Sequence, residues 1–201
     1  MIGLDLPGFL TALVIGFIVY NFGSSSHLAL LLLFFFLSLY VTSLGYKEKE
    51  KLKLFDYKRG FSNVISNGLF PAIFSLANTP YAFIGSVSAI TADKFGSEIG
   101  VLGSNPIELF TWKKVNKGKS GAVSFLGLIA SFSGSLTISL ASAYFFNISP
   151  FQVVILSFCG FFGCLADSIA GYFEERGFGN KATSNLVCSF VGGLLSYMIL
   201  G

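Results

Sequence analysis

Leu28-Ala29-Leu30-Leu31-Leu32-Leu33-Phe34-Phe35-Phe36-Leu37-Ser38-Leu39-Tyr40-Val41-Thr42-Ser43-Leu44-Gly45 contains no charged side chain. As a helix rising about 1.5 Å per residue, the stretch reaches about 27 Å, nearly the thickness of a bilayer's hydrocarbon core. The same texture recurs on both sides of it. Polar punctuation divides the chain into seven candidate spans, Pro7–Phe22, Leu28–Gly45, Gly60–Ala77, Tyr81–Gly103, Gly121–Phe146, Pro150–Phe173 and Leu186–Leu200. With 53% of 201 residues apolar and 11% charged, a soluble domain is excluded. The expected class is all-α, a polytopic helical bundle forming one membrane domain over residues 1–201. The segment from Met1 to Leu6 lacks Lys and Arg, and no small-residue cleavage pattern follows, so the first span reads as a retained helix. Cys159, Cys164 and Cys188 lie inside apolar runs without paired metal-ligand spacing and read as small core residues.

Charge placement orders the spans. Three short uncharged connections, Gly23–His27, Asn78–Pro80 and Asn147–Ser149, alternate with three longer polar loops. The longer loops hold Lys47, Lys49, Lys51, Lys53, Lys58 and Arg59, then Lys113, Lys114, Lys117 and Lys119, then Arg176 and Lys181; only Lys94 falls inside a span. An up-down bundle of seven spans puts all three loops on one face. The positive-inside rule makes that face cytoplasmic, with the N-terminus inside, and the expected location is the cell membrane. His27, the one histidine, falls on the opposite face and reads as a solvated loop residue, which disfavours histidine acid–base chemistry at the lysine-bearing end.

Asp93 and Glu98 in the fourth span and Asp167 in the sixth are acids inside membrane helices, and such groups mark function by default. Both helices run from the outer face inward, which places the aspartates in the half nearest the lysines. Gly160, Gly163, Asp167 and Gly171 form one stripe, and Ser86, Asp93, Ser97 and Gly100 form another. A carboxylate within a small-residue stripe demands a cation, and Mg²⁺ held by Asp93 and Asp167 meets the demand. Register-fixing pairing of Asp93 with Lys94 or a polar neighbour is the structural alternative. The segment Lys117-Gly118-Lys119-Ser120-Gly121, continuing to Ser124 at the expected start of the fifth helix, suits a phosphate seat made of backbone N–H groups and lysines. It lacks the first glycine and preceding strand of a P-loop. Anchoring to anionic lipid accounts equally for the lysines. Asn63 and Asn67, one turn apart, could bond a neighbouring helix or line a polar cavity, while Asn180 and Asn185 stand near the same mouth.

The segments Ile90-Thr91-Ala92-Asp93-Lys94-Phe95-Gly96-Ser97-Glu98-Ile99-Gly100, Gly118 to Gly127 and Gly163-Cys164-Leu165-Ala166-Asp167-Ser168-Ile169-Ala170-Gly171 resemble the integral membrane family called domain of unknown function 92. That family includes transmembrane protein 19 and the chloroplast phytyl-phosphate kinase. The resemblance extends to Asn63-Val64, Asn67-Gly68 and the stretch from Gly179-Asn180 to Asn185. The chain departs from the family at Lys94-Phe95, where a small polar residue and Trp are usual, and at Ala122, where a second glycine is common. The resemblance implies a membrane kinase that converts a polyprenyl monophosphate, phytyl- or geranylgeranyl-like, to its diphosphate with a nucleoside triphosphate, CTP or ATP. Asp93, Glu98 and Asp167 would then be catalytic, with Mg²⁺ on Asp93 and Asp167. Substrate phosphates would meet Asn63, Asn67, Lys117, Gly118, Lys119, Ser120, Gly121, Ser124, Ser168, Asn180 and Asn185. Expected partners are the nucleotide, the isoprenoid lipid phosphate and membrane lipids, with no nucleic acid. A cytidylyltransferase acting on a lipid phosphate and an ion-coupled transporter are the alternatives.

Overall fold

The computed structural model describes residues 3–55, 58–103 and 105–201, with only the backbone of Lys58. Met1, Ile2, Asp56, Tyr57 and Ser104 lie outside the described residues, as do parts of the N-terminal segment and first polar loop read above. A short strand β1 (Gly3–Leu4) leads into α1 (Leu6–Ile18), which ends in a π-helical turn over Val19–Gly23. Then follow α2 (Ser25–Ser43), the short α3 (Tyr46–Lys51), β2 (Lys58–Arg59), α4 (Phe61–Leu76), α5 (Pro80–Gly100), β3 (Ile107–Glu108), β4 (Ala122–Val123), α6 (Phe125–Phe146), α7 (Pro150–Glu174) and α8 (Lys181–Leu200). β1 pairs in parallel with β2, and β3 pairs antiparallel with β4.

The fold is an all-α polytopic membrane bundle. Among the described residues five helices, α1 with its π turn, α2, α6, α7 and α8, are long and apolar enough to cross a bilayer. α4 is shorter, and α5, at 21 residues, carries Asp93, Lys94 and Glu98. Leu13, Phe17, Phe36, Tyr144, Phe151 and Met198 are exposed, as lipid-facing side chains must be.

Local sequence sets the helix ends. Asp5 caps α1 through Gly8 N at 2.7 Å, and Ser149 and Gln152 form a capping box ahead of Pro150. Asn78 (φ 51°) and Asn147 (φ 53°) reverse the chain in left-handed conformations, which asparagine tolerates better than most residues. Three starts differ from the sequence expectation by three residues or more, α2 at Ser25 rather than Leu28 being the first. Asn180 caps α8 through the N–H groups of Ala182 and Thr183, so that helix begins at Lys181 rather than Leu186. α6 begins at Phe125 rather than Gly121, because Ala122 and Val123 are held in the β3–β4 pair and Ser124 is the cap.

α5 is the central helix. Its residues Ala82 to Ala92 are all buried, and it packs on α2, α4, α6, α7 and α8. Away from the polar loops the packing is aliphatic and aromatic, with Val19, Leu30, Phe83, Ile84, Val87, Ile138 and Leu156 in one cluster. Around α5 small residues let backbones touch. A Cβ on Gly163 would lie 2.6 Å from Ala89 Cβ, and one on Gly192 2.7 Å from Gly85 O. Buried hydroxyls bridge helices there: Ser86 and Ser189 meet at 2.7 Å, and Ser135 donates to Ser157 O at 2.8 Å. The three cysteines are free and buried, as expected.

The loops sort to the two ends as the alternation requires. The N-terminal strand lies against Lys58–Arg59, Lys117 approaches Glu48 at 3.8 Å, and Ser120 contacts Glu174, so the N-terminus and the lysine-bearing loops share one end. At the other end, Tyr81 Oη accepts a bond from Gln152 Nε2 at 2.6 Å. His27 is there too, but it is not a solvated loop residue. Its ring packs on Phe83 and Phe146 with centroids 4.5 and 4.8 Å away, and Nδ1 meets Ser24 Oγ at 2.8 Å. An imidazole in the first turn of α2 has aromatic neighbours that a loop position would have denied it.

Candidate active site

A cavity of about 390 Å³ opens among α5, α6, α7 and the loop preceding α6. Asp93 of α5 and Asp167 of α7 both line it. Each stands seven residues before the loop-side end of its helix, Gly100 for α5 and Glu174 for α7, so both carboxylates lie about 10 Å inside that end. The small-residue stripes explain how two backbones approach closely enough. Gly96 packs on Gly127 O and Ser131, Gly100 on Gly127, and Gly160 on Ser88 and Ser135.

The cation facing the acids is Lys181. Its Nζ lies 3.0 Å from Asp167 Oδ2 and 3.9 Å from Asp93 Oδ1. Lys94, the expected structural partner of Asp93, instead pairs with Glu98 at 2.8 Å. The sequence reading noted Lys181 only as a loop charge. The cap at Asn180 was the missed signal, because it moves Lys181 into the first turn of α8, one turn ahead of Asn185.

Two buried acceptors beside this cluster have no hydrogen-bond partner among the described residues, Asp167 Oδ1 and Asn185 Oδ1. They stand at one level. Gly163 of α7 approaches the Cys188 carbonyl of α8; Asp167 lies four residues further toward the loops on one helix, and Asn185 three residues back toward them on the antiparallel other. Buried acceptors normally find donors, so the pair signals a missing positive or donating group. Among the described residues no three of His, Cys, Asp and Glu cluster as a metal site. Two aspartates and an asparagine amide form an all-oxygen set, which fits a hard cation such as Mg²⁺ that also takes phosphate oxygens.

Another wall is the lysine–glycine loop. Lys117, Gly118, Lys119, Ser120, Gly121, Ser124 and Ser168 all line the cavity. Gly121 has φ 73°, and a Cβ there would sit 2.7 Å from Ser168 O, so the loop rests directly on α7. The loop differs from a phosphate seat on a helix terminus. Ser120 already gives its N–H to Glu175 at 3.1 Å and its hydroxyl to Glu174 at 3.0 Å. The N–H of Gly127, in the first turn of α6, is capped by Ser124 Oγ at 3.1 Å. The carboxylates of Glu174 and Glu175 thus take donors that the sequence reading assigned to an incoming anion.

Lys119 is held by Glu108, which sequence reasoning missed. Glu108 accepts from Thr111 at 2.6 Å and Lys119 at 3.0 Å, and Arg176 stands 3.6 Å away. The Thr111 hydroxyl, then Lys119 and Arg176, hold its carboxyl down at about 2. Arg176 in turn lies over the Tyr172 ring at 3.4 Å.

Glu98, Asn63, Asn67, Asn180 and Asn185 do not line the cavity. Five residues beyond Asp93, the helix has turned Glu98 by about 140°, toward α2 and α3. There it accepts from Lys49 at 2.7 Å, Lys94 at 2.8 Å and Thr42 at 2.9 Å. Lys49 is fully buried and also bonds the Val41 and Thr42 carbonyls. Glu98 therefore ties α5 to the end of α2. Asn67 donates to the Asn63 carbonyl within α4, and Asn180 serves as the α8 cap.

Comparison with known proteins places this architecture. The family profile described as Integral membrane protein DUF92 matches residues 2–192. The chain belongs to this family. The DUF92 protein is 34% identical over 205 residues to an uncharacterised membrane protein of Methanocaldococcus jannaschii, covering 98% of this chain and 85% of the relative. It is 29% identical over 183 residues to an uncharacterised membrane protein of Synechocystis, covering 84% of this chain and 68% of the relative. No solved structure matches it.

Proposed function

We propose that this DUF92 protein is a membrane kinase that transfers a phosphoryl group from a nucleoside triphosphate to a polyprenyl monophosphate, yielding the diphosphate. The observation that carries the reading is the pair Asp93 and Asp167, level on adjacent helices, lining one cavity with a lysine–glycine loop. Asp93 and Asp167 would hold Mg²⁺, which when bound neutralises charge on the phosphate oxygens. A phosphate monoester is already an anionic nucleophile, so positioning and electrostatics suffice and no histidine base is needed. One oxygen of the lipid phosphate attacks the γ-phosphorus. The new P–O bond forms as the β–γ bridging P–O bond breaks, and the nucleoside diphosphate leaves with the bonding electron pair.

Lys117 and Lys119 are positioned to meet the nucleotide phosphates. Lys119 can leave Glu108 at modest cost, because Thr111 and Arg176 remain beside that carboxylate. Charge and polarity gather at the loop end of the bundle, where a soluble nucleotide arrives, while the far end packs around Phe83 and Leu156. That asymmetry favours a one-sided active site over a transport path, which needs polar groups at both mouths. The prenyl character of the lipid follows the family resemblance. In the test, Asp93→Asn and Asp167→Asn are each expected to abolish turnover and weaken metal-dependent nucleotide binding while keeping monodisperse protein in detergent. Turnover retained in either variant rejects the assignment.

A further inference from the structure

Lys181 Nζ occupies the position that a cation shared by the two aspartates would take, 3.0 Å from Asp167 Oδ2 and 3.9 Å from Asp93 Oδ1. One lysine does not satisfy the cluster. With the ammonium in place, Asp167 Oδ1 and Asn185 Oδ1 still stay without donors among the described residues. The Lys181 side chain is 52% exposed and lines the cavity, so its ammonium has open space to turn into while the backbone of α8 stays in place. A divalent ion and an ammonium held together at these distances from two carboxylates would repel one another. Nucleotide phosphates would give the displaced ammonium a new anionic partner.

We infer that Lys181 is the resident counter-cation of the Asp93–Asp167 pair, which keeps the free divalent ion out and yields its place only when the ion arrives with nucleotide phosphates. The nucleotide arm rests on the kinase reading; the competition with free metal does not. The site therefore binds metal–nucleotide complex in preference to metal alone, and Lys181 is a substrate-binding residue in the loaded state.

The test uses the full chain purified in detergent, with free Mn²⁺ as the probe and bound ion read by electron paramagnetic resonance. Without nucleotide, Lys181→Met is expected to bind Mn²⁺ at least tenfold more tightly than wild type, while Lys181→Arg stays near wild type. Adding Asp167→Asn to Lys181→Met should remove the gain, which assigns it to this site. In the wild type, a non-hydrolysable nucleoside triphosphate analogue should raise Mn²⁺ retention. Thermal melting guards against a folding defect: Lys181→Met should melt below wild type in chelator and gain more from Mn²⁺. Unchanged Mn²⁺ affinity in Lys181→Met overturns the inference. So does failure of that variant to fold both with and without Mn²⁺, because the ion then does not replace the lysine. Failure of the kinase reading registers separately, as absent diphosphate product with the metal-only result intact.

Discussion

Glu98→Gln separates the structural acid of α5 from the cavity acid Asp93, which lies about 7.5 Å of helix rise earlier. The substitution keeps size and removes charge. Lys49 would then remain fully buried with only the Val41 and Thr42 carbonyls around it. Removing one partner of a buried ion pair costs about 3–5 kcal/mol, and the surviving carbonyl bonds place the expected loss near the lower end, about 3 kcal/mol. Asp93→Asn should cost less than about 1 kcal/mol, since Lys181 keeps Asp167 as its nearer partner. Denaturant titration of each variant in the same micelle measures the difference. Lys49→Met combined with Glu98→Gln should recover at least half of the loss, because no unpaired buried charge is left. Glu98→Gln within about 1 kcal/mol of wild type, or a double variant worse than the single, would refute the network account.

Topology and loop electrostatics give two further expectations. In a background without the native cysteines, cysteines at Lys51 and Lys117 should react with an impermeant thiol reagent from the cytoplasmic face, and one at Ser25 from the opposite face. Labelling of Lys51 and Lys117 from different faces would break the shared-end arrangement. Glu108 is held at about 2 against an ordinary 4.5, a lowered value. Its stabilising effect is therefore full above about 4.5 and is lost as pH falls toward 2. The backbone N–H of Trp112, the single tryptophan, bonds the backbone carbonyl of Glu108, which places the indole in the same turn. Its fluorescence should hold steady from pH 7 to 4.5 and change only below, whereas Glu108→Gln should flatten that response.

The spans were legible because hydrophobic runs and loop charge both follow from the bilayer. Counting along the sequence put both aspartates in the lysine-bearing half; that each stands seven residues from the loop-side end of its helix needed the helix ends that the structure supplies. Facing was harder. Glu98 lies near Asp93 in sequence, but rotation of the helix carries it to a different neighbour; the stripe Asp93, Ser97, Gly100 already omitted it. Lys181 was hidden by a boundary placed one turn late, and the Asn180 cap is what corrects it. Glu108, Glu174 and Glu175 gain roles only through contacts between loops, which no local pattern announces.

The most direct test of the account is product identity. Purified protein is incubated with Mg²⁺, either ATP or CTP, and prenyl monophosphates of graded length, and both the lipid and the nucleotide products are resolved. The account predicts a prenyl diphosphate together with an equal amount of nucleoside diphosphate, both absent in Asp167→Asn. Release of pyrophosphate with a nucleotidyl-linked lipid, or no lipid product from any prenyl phosphate, would contradict it.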